Sequence, residues 1–373
     1  MSAASLQQQV TDILAIADVK LNGTDPWDIQ VRDDRFYKRV LTEGALGLGE
    51  SYMDGWWDSK QIDQFAFKVV RADLYKQAKF GLKTILQILL AKTLNMQAKG
   101  KAARNAQRHY DIGNDLYQLM LDKRMVYSCG YWENADTLDQ AQENKLDLIC
   151  RKIRLQPGQR VLDIGCGWGS FAKFAAEKYG AEVVGVTVSK EQVELGREMC
   201  KGLPVELRLQ DYRDVNETFD HVVSIGMAEH VGYKNHRTYL KTAARCLKDD
   251  GLFLLHTIGV NYSKTSADPF IDAYIFPNCL IPSVKQLGAA MEHTFVAEDW
   301  HNFGPYYDST LMAWFHNFNS NWEQLRAKYG ERFYRMWKYY LLSSAGSFRA
   351  RNNQLWQLVL SKRGILEGYK SVR

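Results

Sequence analysis

The chain has 373 residues, 46% of them hydrophobic and 24% charged, and a net charge of +5 at neutral pH. That length can bury a large core and divide into two domains. No apolar run approaches the roughly 18 residues that span a bilayer, and Met1–Val10 is polar, so neither a membrane-spanning helix nor an N-terminal signal is expected. Read from the N-terminus, residues 1–95 form a helical domain whose second half is strongly basic. Between Lys60 and Arg108 eleven lysines and arginines face two aspartates, a local balance of +9. Leu82, Ile85, Leu86, Leu89 and Leu90 recur at helical spacing beside those lysines. Such a segment suits an anionic membrane surface; a core-facing helix with a solvated basic side has the same pattern. Residues 96–108 are small, polar and basic, the composition of a linker, and they lead into a second domain over 109–373.

That second domain begins its chemistry at Arg160-Val-Leu-Asp-Ile-Gly-Cys-Gly-Trp-Gly169, a buried-strand pattern running into glycines at alternate positions. Without side chains at Gly165 and Gly167, a ligand can press against backbone N–H groups at the start of a helix. A helix over 170–179, a strand over 182–188, a helix over 190–200 and strands over 205–210, 221–226 and 251–258 follow. Segments 295–303 and 354–361 are candidate late strands. This alternation predicts an α/β fold, a mostly parallel Rossmann-like sheet with helices on both faces. Ligands then bind beyond the carboxyl ends of the strands, where Gly165, Thr187, Asp211, Glu229 and His256 all fall.

The cofactor class follows from the spacing. A dinucleotide site asks for G-x-G-x-x-G and an acidic residue about 20 positions on. Here the pattern is G-x-G-x-G, and the next strand ends in Thr187, Ser189 and Gln192 without a carboxylate. This resembles an S-adenosylmethionine (SAM) methyltransferase. The cysteines at 129, 150, 166, 200, 246 and 279 form no C-x-x-C pair, which suits a reduced cytoplasmic compartment. The eight histidines show no metal-ligand spacing, so no metal is expected, and no recognised nucleic-acid-binding motif is present.

Ordered phrases along the whole chain resemble the cyclopropane fatty acid synthase family, the class I SAM methyltransferases that act on lipid alkenes. They include Gly44–Trp57, His109-Tyr-Asp-Ile-Gly-Asn-Asp115, Tyr127-Ser-Cys129, Gln210–Asp214, Glu229-His-Val-Gly232, Leu255-His-Thr-Ile-Gly259 and Asp299-Trp-His-Asn-Phe-Gly304. Ala228 departs from the family, which commonly carries an aromatic residue there, and this leaves acyl-length preference open. The resemblance implies methylene transfer from SAM to a cis double bond of an unsaturated acyl chain on a membrane phospholipid. It implies a bound bicarbonate base caged by Cys129, Glu229, His256, the Ile258 backbone and Tyr307.

For the cofactor, the resemblance implies Tyr127 and Ser128 near the methionine portion and Gly165 and Gly167 beneath it. Thr187 and Gln192 would hold the ribose, with Asp211 and Tyr212 near adenine. Alone, Cys129 reads as a small packed hydrophobe and Tyr307 as a core aromatic, while Asp211 reads equally as a turn cap. A homodimer, peripherally attached to the inner face of the cell membrane, is the family expectation. Alternatives are alkene methylation that stops at a branched or hydroxylated lipid, and an inactive SAM-binding protein at a lipid surface.

Overall fold

The structure is a computed structural model and describes residues 3–74 and 113–373. The apolar repeat from Leu82 to Leu90 and the expected linker lie outside the described residues, as does most of the basic segment. In chain order the first elements are α1 (Ala3–Ala15), β1 (Gln30–Val31), α2 (Arg35–Glu43), α3 (Ala45–Met53), β2 (Trp57–Asp58) and α4 (Ile62–Arg71). Then come α5 (Asn114–Met120), α6 (Leu138–Lys152), β3 (Arg160–Ile164), α7 (Ser170–Tyr179), β4 (Glu182–Thr187), α8 (Lys190–Met199), β5 (Val205–Leu209) and β6 (Phe219–Ile225). The chain continues through α9 (Ala228–Val231), α10 (His236–Cys246), β7 (Leu247–Val260), α11 (Pro269–Tyr274), α12 (Val284–Met291) and β8 (Val296–Asn302). It ends with α13 (Pro305–Ser320), α14 (Trp322–Arg349) and β9 (Asn353–Ser361).

Seven strands form one sheet in the order β5-β4-β3-β6-β7-β9-β8. Pairs β3–β4, β4–β5, β3–β6 and β6–β7 are parallel, and β8–β9 is antiparallel. The alternation along β3 explains the layering, because Val161 and Leu162 point to opposite faces. Leu162, Ile164, Val222 and Phe253 pack with Tyr239, Leu240 and Ala243 of α10. On the other face Val161, Val183 and Leu254 pack with Leu146 and Ile149 of α6 and with Phe171 and Phe174 of α7. Both faces are therefore covered, as near-continuous apolar strands require. Helix starts are specified locally: Thr137 and Gln140 form a capping box on α6, and the Ser189 side chain caps α8. The strand order reverses at β3, with β4 and β5 to one side and β6 and β7 to the other, so the loop after β3 lies at the topological switch point.

The compact units group the chain differently from a simple division between 1–95 and 109–373. One unit gathers Met1–Leu94 with Ser266–Pro277 and Tyr307–Asn353; the other holds Asn95–Thr265, Asn278–Tyr306 and Gln354–Arg373. In the first unit α14 packs on α3 and α4. A Cβ on Gly346 would lie 2.4 Å from the Asp63 carbonyl oxygen, so the two backbones meet closely there. Arg349 of α14 pairs with Asp63 at 2.8 Å and Asp308 at 2.9 Å, and the Arg335 guanidinium lies 3.9 Å from the Tyr52 ring centre. Sequence order concealed this grouping because α11 and α14 pack on helices more than 200 residues earlier in the chain. Among the described residues no helix is long and apolar enough to cross a membrane.

Candidate active site

The loop after β3 is built around three positive-φ glycines. Gly165, Gly167 and Gly169 have φ of +80°, +56° and +80°, conformations that L side chains rarely adopt. A Cβ on Gly165 would sit 3.0 Å from the Met227 Cβ, and one on Gly169 2.9 Å from Leu207 Cδ1. The Gly165 amide donates to the Val186 carbonyl at 2.9 Å, tying the loop to the end of β4. At that end the buried Thr187 hydroxyl donates to Gln192 Oε1 at 3.0 Å, and Ser189 caps the helix carrying Gln192. The glycine loop and the Thr187–Gln192 pair are thus joined directly.

Two of the five expected cage residues stand out by what they lack. Glu229, in the short helix after β6, is buried, and its Oε1 accepts the Ile258 N–H at 2.7 Å. Its Oε2 is buried without a hydrogen-bond partner. Burial pushes the carboxyl up to about 7, opposed by the hydrogen bond from the Ile258 amide. His256 pairs in register with Ile225, the last residue of β6, and so stands at the same sheet edge. Its Nδ1 lies 3.3 Å from Gln357 Nε2, and its buried Nε2 has no partner. With Gln357 as donor, the ring carries its proton on Nε2. Burial, with Lys145 and Lys152 behind it, holds the imidazole well below its ordinary range and therefore neutral. Among the described residues, Glu229 Oε2 and His256 Nε2 are thus two buried polar atoms left open at this sheet edge.

The remaining expected residues divide. Cys129 is fully buried and its thiol donates to the Gly130 carbonyl at 3.2 Å. The Ile258 N–H donates to Glu229 Oε1 and so holds that carboxyl at the strand end. Tyr307 belongs to the first unit, where its ring lies 4.5 Å from Phe348 and 5.9 Å from Trp314. Asp211 caps the turn at Tyr212–Asp214, and both its oxygens are held by Arg213 at 2.8 and 2.6 Å. Tyr212 is buried against Tyr239 at 5.5 Å, its phenol pushed up to about 12 by desolvation. Tyr127 packs edge-on to Tyr117 at 5.2 Å, and Ser128 is buried. An aromatic wall adjoins His256, in which Phe303 is 6.0 Å from the imidazole and Tyr131 lies 5.3 and 5.4 Å from Phe303 and Tyr306.

Sequence reading missed the floor of this site. Lys145 is completely buried, and its ammonium donates to Ser128 Oγ at 2.9 Å. Gln142 donates to the Ser128 carbonyl at 2.7 Å. The signal was present in α6: Ala141, Lys145 and Ile149 are four residues apart and all buried, so the lysine interrupts an apolar stripe. The Trp168 indole also donates to Asn114 Oδ1 at 3.1 Å, placing α5 against the glycine loop.

A parallel sheet with a glycine loop at its switch point and a Thr–Gln pair at the next strand end defines a class I SAM methyltransferase. Comparison with known proteins narrows this further. The sequence model of the mycolic acid cyclopropane synthetase family matches residues 97–358, and the chain belongs to that family. It is 51% identical over 362 residues to the cyclopropane-fatty-acyl-phospholipid synthase of Escherichia coli strain K12, covering 97% of this chain and 94% of that protein. The solved cyclopropane synthase MmaA2 from Mycobacterium tuberculosis superposes with a TM-score of 0.67 at 31% identity, over 70% of this chain and 98% of that one. Mycolic acid cyclopropane synthase CmaA1, solved with S-adenosylhomocysteine (SAH) and CTAB, gives 0.66 at 32%, again over 70% and 98%.

Proposed function

We propose that this enzyme transfers a methylene group from SAM to the cis double bond of unsaturated acyl chains in membrane phospholipids, forming a cyclopropane ring. The observation that carries the reading is the unsatisfied Glu229 Oε2 and His256 Nε2 at the sheet edge beside the glycine loop, in a chain that matches a cyclopropane synthase over nearly its full length.

Bound at the loop, SAM supplies an electrophilic methyl group. The chain's own residues must then do three things. The backbone around Gly165 and Gly167 and the Thr187–Gln192 pair hold the donor, with Tyr127 and Ser128 at its amino-acid end. The aromatic wall of Phe303, Tyr131 and Tyr306 excludes water and offers ring faces to positive charge developing on the acyl chain. Ring closure needs one proton removed from the added carbon. Glu229, with Oε1 committed to the Ile258 N–H, and His256, with Gln357 as donor to its Nδ1, act here as holders of a base rather than as the base itself. Bicarbonate fits the pair: Glu229 Oε2 would accept its O–H, and His256 Nε2–H would donate to its oxygens. So held, it would supply the base. Cys129 and Tyr307 complete this proposed cage by family resemblance.

The basic composition before residue 108 supports contact with an anionic bilayer; peripheral attachment to the inner, cytoplasmic face of the cell membrane and a homodimeric state are read from the family resemblance. The test is gas chromatography–mass spectrometry of acyl chains after purified protein meets SAM and mono-unsaturated phospholipid vesicles. A cyclopropane acyl chain one carbon heavier is expected; a branched methyl or hydroxylated product favours the alternative alkene methyltransferase.

A further inference from the structure

The buried Lys145 has no part in the mechanism above, yet it touches the strip that carries Tyr127, Ser128 and Cys129. Its ammonium donates to Ser128 Oγ at 2.9 Å. An ammonium has donors alone, so the serine oxygen is the acceptor and its own O–H is left to donate elsewhere. Gln142, one turn before Lys145 on α6, fixes the strip by donating to the Ser128 carbonyl at 2.7 Å. Ser128 is 7% exposed, so its hydroxyl proton cannot be satisfied mainly by bulk water. Asp163, at the end of β3 just before the glycine loop, is also buried, and its Oδ1 has no partner. The ammonium is therefore balanced only incompletely: the Asp122, Cys129 and Asp163 side chains oppose its desolvation, and no carboxylate forms an ion pair with it among the described residues.

We propose that Lys145 is a positioning residue that polarises the Ser128 hydroxyl into a donor for a carboxylate-like anion in the site. This rests on the reading of the site given under the proposed function. Two sources share that chemistry, the carboxylate of the SAM amino-acid end and bicarbonate. A hydroxyl whose oxygen accepts from an ammonium is a stronger donor than an isolated serine.

The test uses the full-length protein with two readouts, the affinity for SAH by isothermal titration and the bicarbonate dependence of turnover on vesicles. SAH binding needs no turnover, so failure of the lipid reaction in wild type would sink the proposed function without touching this arm. Ser128→Ala is expected to weaken one anion about tenfold, the worth of one charge-assisted hydrogen bond. Weaker SAH binding identifies the amino-acid carboxylate; a raised bicarbonate requirement with normal SAH binding identifies bicarbonate. No change in either overturns the proposal. Lys145→Met should reproduce the same selective loss, and the double variant should be no worse than either single one, because the lysine acts through the serine. Additive losses would make Lys145 merely structural. Lys145→Gln, which retains a donor without the charge, is the second variant should Lys145→Met not fold. Wild-type affinity in Lys145→Gln would show that the charge is not needed and would also overturn the proposal.

Discussion

Glu229→Gln separates the electrostatic state of the site from its chemistry. In the folded protein burial pushes the Glu229 carboxyl from an ordinary 4.5 up to about 7. The sign is the reverse of a salt-bridged carboxylate. Between pH 4.5 and 7 the folded state keeps a proton that the unfolded state has released, so wild-type stability falls as pH rises across that window. Below 4.5 both states are protonated and the residue contributes no difference. Above 7 the loss is complete, and a shift of this size corresponds to about 3 kcal/mol at 1.36 kcal/mol per pH unit. Glutamine keeps an acceptor for the Ile258 N–H and removes the titration. The variant should therefore match wild type near pH 4.5 and exceed it by about 3 kcal/mol at pH 8. Urea unfolding of both proteins at the two pH values measures this, and the difference between them cancels other titrating groups. The same variant should bind SAH normally and lose about a hundredfold or more in turnover, the usual worth of a positioned base. Parallel stability curves would refute the assignment of Glu229 as a carboxyl destabilised by burial.

Three further outcomes are expected. Gly165→Ala forces a side chain into a left-handed conformation at φ +80° and against Met227, so SAH affinity should fall markedly; unchanged titration would show that the loop conformation is not required. Trp168→Phe loses the indole bond to Asn114 and should cost about 1 kcal/mol in urea unfolding, with no loss expected if α5 is not anchored there. Replacing Lys76, Lys79 and Lys83 by glutamine should weaken partition onto anionic vesicles by about 1 kcal/mol per charge at low salt, whereas equal partition would remove the basic segment from membrane binding. Deleting residues 1–94 is a poorer test, because α14 packs on α3 and α4 and would lose its partners.

The sheet was legible because its central strands are apolar runs that alternate with helical segments. Ser170–Tyr179 was expected and found as a helix with the same bounds, and the expected late strands pair as β8 and β9. Glu229 and His256 were legible as polar residues at strand ends. Their meaning, one unsatisfied oxygen and one unsatisfied nitrogen, needed side-chain geometry. Lys145 was missed because a lysine on a helix is ordinarily solvated; only its place in a buried stripe marks it. Asp211 was ambiguous between cap and ligand, and Arg213 two residues on was the local clue that its carboxylate is already engaged. The unit boundary was invisible in sequence because it depends on long-range helix packing rather than on composition.

The central claim is ring formation on a membrane lipid. The most direct measurement supplies SAM with a trideuterated methyl group to the wild-type protein and vesicles of mono-unsaturated phospholipid, with and without bicarbonate. Mass spectrometry then counts the deuterium in the product. Methylene transfer predicts a cyclopropane acyl chain retaining two of the three deuteriums, the third having left as a proton equivalent, with yield falling when bicarbonate is removed. A product that keeps all three deuteriums, or no labelled lipid from protein shown to bind SAH, would contradict the account.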